Sequence, residues 1–186
     1  MLKPQDILVA LKLLPSTTSV RGSYAALAVS LGLSASEAHA AVKRAIRSGL
    51  LLPSPVRPEY LAEIRVSRPA LAELLCYGVR YFLPPEMGGL CLGIPTADSA
   101  PPLSRQLLPS SALPYVWPSA RGTVRGVALA PLYPSAPEAA LRDPVLGEWL
   151  ALTDALRLAT GRVAELARDE VLRRLEKPER ADAAAA

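Results

Sequence analysis

The chain has little of what most catalytic and secreted proteins are built from: one histidine, two cysteines, two methionines and one phenylalanine in 186 residues, with aromatic side chains at only 5%. His39 is the only imidazole and stands beside neither Cys76 nor Cys91 in the sequence, so a Ser-His-Asp or Cys-His nucleophilic site lacks its parts. Zinc is starved of ligands for the same reason. Two isolated cysteines form neither a disulfide framework nor a Cys-x-x-Cys pair, and both read as core thiols. No uninterrupted apolar run approaches the roughly 18 residues of a membrane span. Residues 1–6 lack the basic region, apolar core and small-residue cleavage site of a secretory signal, so the cytoplasm is the expected location. The run Gly88-Gly-Leu-Cys-Leu-Gly93 is neither a P-loop, which needs a Lys-Ser/Thr ending, nor a dinucleotide fingerprint, and reads as turns. Carboxylates are sparse in the middle of the chain, Glu86 and Asp98 among them, which gives little support to a paired acid and base. No catalytic residue, metal ligand or cofactor is assigned, and the expectation is a protein that is not an enzyme.

What is present is 51% hydrophobic residues, enough for a sizeable core, and an uneven distribution of charge. The net +4 is carried by residues 1–50, where Lys3, Lys12, Arg21, Lys43, Arg44 and Arg47 face only Asp6 and Glu37. Residues 51–125 carry +2 and residues 126–186 carry −2. A basic head suits a polyanion.

Pro4 followed by Ile7, Leu8, Leu11 and Leu14 at helical spacing, stopped by Pro15, predicts a first helix. A Ser/Thr-rich loop over 16–22 leads to Ser23 as an N-cap and a second helix that ends at Gly32 in a left-handed turn. Ser34-Ala-Ser-Glu37 is a capping box that opens a third helix, with Ala38, Ala41, Val42, Ala45 and Ile46 inward, a basic outer stripe and Gly49 as its stop. Leu50–Leu52 and Ala62–Val66 read as a strand and its return partner around a proline-rich tip.

Beyond Ser67 the pattern predicts a helix to Gly78, with Pro69 in its first turn and Leu71, Leu74, Leu75 and Cys76 inward, and then a strand over 79–83. Residues 84–144 hold 12 of the 19 prolines, which favours short strands and ordered loops, the best strand being 123–129 after a turn at 119–122. The aromatics Tyr77, Tyr81, Phe82, Tyr115, Trp117 and Tyr133 fall between 77 and 133 and read first as core, second as the lining of a ligand pocket. Asp143-Pro144 starts a helix through Leu156, and Thr160-Gly161 divides it from a last helix running to about Leu175. Residues 177–186 read as a frayed tail.

Three short helices, a glycine turn, a capped third helix with a basic outer stripe and a following apolar strand make the pattern of a DNA reader. Residues 3–66 resemble the winged helix-turn-helix of MarR-like transcriptional regulators, on the strength of Tyr24-Ala-Ala-Leu-Ala-Val-Ser-Leu-Gly-Leu-Ser34 and Val42-Lys-Arg-Ala-Ile-Arg-Ser-Gly-Leu50. The resemblance implies sequence-specific double-stranded DNA binding by a homodimer. It places Ala35, Ser36, His39, Ala40 and Lys43 in the major groove and Arg44 and Arg47 toward the phosphates. Ser23, Tyr24 and Ser34 lie near the DNA backbone, with Arg57 alone at the wing tip. Lys43 and Arg44 are both expected to be exposed. His39 reads equally as a base or phosphate contact and as a solvated side chain; for Lys43, Arg44 and Arg47 a merely solvated face is the lesser reading.

The resulting expectation is an α+β protein: a winged helix-turn-helix over 1–66, then a proline-rich mixed region with short strands and two C-terminal helices over 67–176 for dimerisation or sensing, with apolar faces around Trp149 and Val163 as subunit contacts. A small-molecule effector or a partner protein remains open as a further ligand. The alternative is a protein-interaction module, antitoxin-like or the accessory subunit of a neighbouring effector.

Overall fold

The computed structural model describes residues 1–14, 23–107, 113–158 and 160–176, and its architecture is mixed α+β. The expected loop over 16–22 and the tail over 177–186 lie outside the described residues. Helix α1 (Pro4–Lys12) starts on Pro4, as its fixed φ favours. It is buried all round, Ile7 through Leu11 being wholly shielded from solvent, as a helix apolar on every side must be. Helix α2 (Tyr24–Leu31) begins where Ser23 Oγ accepts the Ala26 amide at 3.1 Å. It ends at Gly32 with φ +65°, a left-handed conformation that costs glycine nothing. Helix α3 (Ala35–Arg47) carries the reciprocal Ser34–Glu37 capping box. Ala38, Ala41, Val42 and Ala45 face inward as expected, and Ile46 is only half-buried.

Strand β1 (Leu51–Leu52) pairs antiparallel with β2 (Arg65–Val66), Leu51 opposite Val66. The expected return strand is shorter than 62–66, because Leu61–Glu63 forms a single 3-10 turn. Helix α4 (Arg68–Glu73) then runs through a π-helical turn over Leu74–Gly78 directly into α5 (Val79–Phe82). The strand expected over 79–83 is therefore a helix. Gly78 keeps right-handed helical angles (φ −105°, ψ −37°) and does not act as a stop, while Leu71, Leu75 and Val79 continue one buried stripe at four-residue spacing. The Val-Arg-Tyr-Phe composition favours a strand, but that buried stripe decides otherwise.

Strands β3 (Met87–Pro95), β4 (Tyr115–Pro118) and β5 (Val124–Leu129) close on one another. β3 runs antiparallel to both partners, and β4 and β5 pair in parallel. The glycine run 88–93, read from sequence as turns, is thus part of the longest strand. Two glycines of this sheet serve close approach: a Cβ on Gly93 of β3 would stand 2.2 Å from the Trp117 carbonyl oxygen, and one on Gly126 of β5 2.2 Å from that of Pro114. A bulge lies between Met87 and Leu90. The turn expected at 119–122 is present, the Gly122 amide donating to the Ser119 carbonyl at 3.0 Å.

Helices α6 (Ala136–Arg142), α7 (Pro144–Leu158) and α8 (Gly161–Glu176) complete the chain. Asp143 Oδ1 accepts the amides of Val145 and Leu146, capping α7 as its Asp-Pro start suggests. Helix α7 is central, with Trp149 through Arg157 buried. Trp149 therefore cannot offer the apolar subunit contact expected of it; its ring packs in the core, 5.7 Å beneath the Arg174 guanidinium. Val163 is half-buried. One continuous apolar core joins α1, α2 and α3 to α4, α7 and α8, so residue 66 marks no break in packing.

Ion pairs on α7 and at its start help to fasten this core. Asp154, shielded on α7, accepts Thr96 Oγ1 at 2.8 Å, Trp117 Nε1 at 2.6 Å and Arg157 Nη1 at 2.7 Å. Arg157 also donates to the carbonyls of Leu83, Ala130 and Pro84. Burial pushes the Asp154 carboxyl up, against the opposing pull of Arg157 and the two neutral donors. Every polar atom of this network is engaged, which makes it a clasp between helix and strands. Lys12 Nζ, in turn, meets Asp143 Oδ2 at 2.6 Å and ties the end of α1 to the start of α7.

Candidate functional site

Helices α2 and α3 cross at 101° over the three residues Gly32, Leu33 and Ser34. Two features hold that angle. Gly32 turns the chain, and Ser135 Oγ donates to the Leu31 carbonyl at 2.5 Å while Arg142 Nη1 donates to that of Val29 at 2.9 Å. The C-terminal half thus supplies a partner to the Leu31 carbonyl at the end of α2 and adds a second one to the Val29 carbonyl, which also accepts the Gly32 amide.

The outward surface of α3 carries Ala35, Ser36, Lys43 and Arg47, all exposed, with Ala40 and His39 half-buried. Lys43 and Arg47 are one helical turn apart and have no ion pair among the described residues. His39 packs edge-on against Tyr24, ring centroids 4.9 Å apart, and its Nε2 lies 4.0 Å from Glu59 Oε2. Burial and the Glu59 charge push the Tyr24 phenol up. Ser23 and Ser34 are exposed and spend their hydroxyls on capping. The backbone amide of Ser34 bonded to Glu37, with the Ser34 hydroxyl, holds the Glu37 carboxyl below the usual glutamate range; Tyr133 Oη also donates to it at 3.3 Å.

Arg44 departs from the expectation. Its Nε donates to Asp6 Oδ2 at 2.9 Å and its Nη2 to Asp6 Oδ1 at 2.6 Å, a two-pronged pair with a carboxylate that is wholly buried. The Arg44 side chain is only 21% exposed and points into the protein. The reason is geometric: Arg44 precedes the buried Ala45 and sits where α3 crosses the first turn of α1, whose Asp6 also accepts the Lys3 amide. Arg57 is exposed at the tip of the β1–β2 connection, paired with Glu63 and stacked over Tyr60. Of the cations expected at the head, Lys12 and Arg44 are thus consumed inside the fold, Lys3, Lys43 and Arg47 face solvent, and Arg21 lies outside the described residues.

Arg65 on β2 joins these, exposed and without an ion pair among the described residues. Sequence reading passed over it, although alternation within 62–66 marks it as outward. Glu37, Glu59 and Glu63 stand close to the same surface and reduce its positive field.

The aromatics do not gather. Trp117 is in the core, Tyr77 and Tyr81 are 63% and 80% exposed, and no two of them line one cleft among the described residues: Tyr115 borders one of about 240 Å³, Trp117 another of about 220 Å³ and Tyr77 a third of about 430 Å³. Cys76 is buried, which pushes its thiol up, and Cys91 is half-buried. Among the described residues no three His, Cys, Asp or Glu side chains are grouped to hold a metal ion, and no single helix is long and apolar enough to cross a membrane. Compared with known protein families, with curated proteins and with solved structures, the chain matches none.

Proposed function

We propose that residues 3–66 form a winged helix-turn-helix that binds double-stranded DNA as a MarR-like transcriptional regulator, with α3 in the major groove and the β1–β2 hairpin as the wing. The observation that carries this reading is the 101° crossing of α2 and α3 over a three-residue turn containing Gly32, the geometry of helix-turn-helix readers. The small side chains Ala35, Ser36 and Ala40 let α3 approach base edges closely, and Lys43, Arg47 and Arg65 supply phosphate contacts. Arg44 has no part in the contact; it is a brace that fixes α3 on α1.

The test is fluorescence anisotropy with the DNA upstream of the protein's own coding sequence and a scrambled duplex, at several salt concentrations. Selective binding that weakens with salt supports the reading. Lys43→Ala and Arg47→Ala should each lower the slope of log affinity against log salt by about 1. Equal, feeble binding to both duplexes, or an unchanged slope in both variants, would refute it.

A second reading has its own support. The outer side of α2 exposes Ala25, Ala26 and Val29, the last at 73%, without a charge, and Glu37, Glu59 and Glu63 temper the basic face. These features favour a head that docks a partner protein, and stable capture of one foreign chain without selective DNA binding would establish it.

A further inference from the structure

We infer that the cleft between the 3-10 turn Ala97–Ser99 and the junction of α7 with α8 binds a small organic ammonium ion with an apolar body. Ala155 and Leu158 of α7 and Val163 of α8 give this cleft, of about 240 Å³, its apolar walls, while Asp98, Tyr115 and Thr160 supply its polar groups. Among the described residues no lysine or arginine lines it. Asp98 is half-buried and has no ion pair among the described residues. The negative end of α7 and the positive end of α8 meet at the junction and offset each other, so the Asp98 carboxylate sets the sign of the site.

The fold holds that carboxylate in place under strain. Thr96 turns its hydroxyl inward to Asp154, whereas Asp98, two residues later, lines the cleft. The reversal falls on Ala97, whose φ of +53° is a left-handed conformation that disfavours a residue with a Cβ. Strain of this kind persists only where the surroundings enforce it, and it clusters at binding sites. Ser99 enforces it here: its hydroxyl accepts the Tyr115 amide at 3.0 Å and donates to Asp98 Oδ1 at 3.3 Å, which ties the carboxylate to the tyrosine.

A ligand that fills the cleft covers Asp98, and a covered carboxylate needs a counter-charge. A neutral ligand withholds it and an anion adds repulsion. A metal ion would want more carboxylates than the cleft contains. A primary ammonium answers Asp98, keeps two donors for the Tyr115 and Thr160 hydroxyls, and is attracted by the Tyr115 ring. Neither hydroxyl has a hydrogen-bond partner among the described residues. Since a cavity of about 150 Å³ accepts benzene, this volume suits an aryl or alkyl amine of about nine non-hydrogen atoms. The site lies outside residues 3–66 and does not depend on the DNA reading.

Amide NMR titration of the full chain without nucleic acid tests this, with phenethylamine, its neutral isostere phenethyl alcohol, and phenylacetate. The amine should bind with a dissociation constant of about 0.1–1 mM and shift the amides of Asp98, Tyr115 and Val163. The alcohol and the acid should bind at least about tenfold more weakly. Asp98→Asn, which keeps an acceptor for Ser99, should weaken the amine at least about tenfold and erase its advantage over the alcohol, with an unchanged unfolding midpoint. Val163→Phe, which fills the cleft from a half-buried position, should abolish binding. A wild type that does not bind the amine, binds the alcohol equally well, or prefers phenylacetate overturns the proposal. Amine binding that neither variant alters overturns it equally. Each of these outcomes is independent of whether α3 binds DNA.

Discussion

Replacing Arg44 by Ala removes both prongs of its pair with Asp6 and leaves a carboxylate with no solvent exposure, its charge answered only by the Lys3 amide at 2.9 Å. Removing one member of a buried, hydrogen-bonded ion pair typically costs about 3–5 kcal/mol, because the remaining charge keeps its desolvation penalty and loses its compensation. Against a total stability of roughly 5–15 kcal/mol, that is a large fraction. At about 2–4 °C per kcal/mol for a chain of this size, the midpoint should fall by about 6–20 °C. Lys43→Ala, one residue away and exposed, should stay within about 0.5 kcal/mol. The assay is urea unfolding followed by far-ultraviolet circular dichroism, for Arg44→Ala, Asp6→Leu and the double variant Asp6→Leu/Arg44→Met. The double variant should recover most of the loss, since an apolar pair of similar volume needs no compensation. An Arg44→Ala protein as stable as the wild type would refute the assignment of Arg44 as a brace and return it to the DNA-facing set.

Two further outcomes follow from the fold. Gly93→Ala forces a Cβ within 2.2 Å of the Trp117 carbonyl oxygen and should destabilise by about 3 kcal/mol, the upper end of ordinary overpacking, whereas Gly89→Ala, with nothing within 4 Å, should be nearly neutral in thermal unfolding. Glu37 has a folded-state pKa below its ordinary value, so its capping contribution is complete above that ordinary value and is lost as pH falls through the folded one. Unfolding midpoints of wild type and Glu37→Gln should therefore differ at neutral pH and converge in acid; a gap that widens in acid would contradict the capping role.

Local chemistry alone was enough for much of the first 66 residues. Ser23, Gly32, the Ser34–Glu37 box and Gly49 are signals whose partners lie within four residues, and backbone angles at such points follow from side chains that reach no further. The same holds for Asp143-Pro144 at the start of α7. The errors fell where distant contacts overrode local preference. Val79–Phe82 is helical because Val79 extends a buried stripe begun at Leu71, and the glycines at 93 and 126 mark close strand approach, which no single segment reveals. Arg44 makes the same point for the site. Its position on a basic stripe was legible, but its partner Asp6 lies 38 residues earlier, and only the crossing of α3 over α1 decides which cation braces the fold and which faces solvent. The sequence by itself determined the caps, the turns and the periodicity of the helices; the tertiary structure decided which charges stay free, because that depends on which helices cross and bury a carboxylate between them.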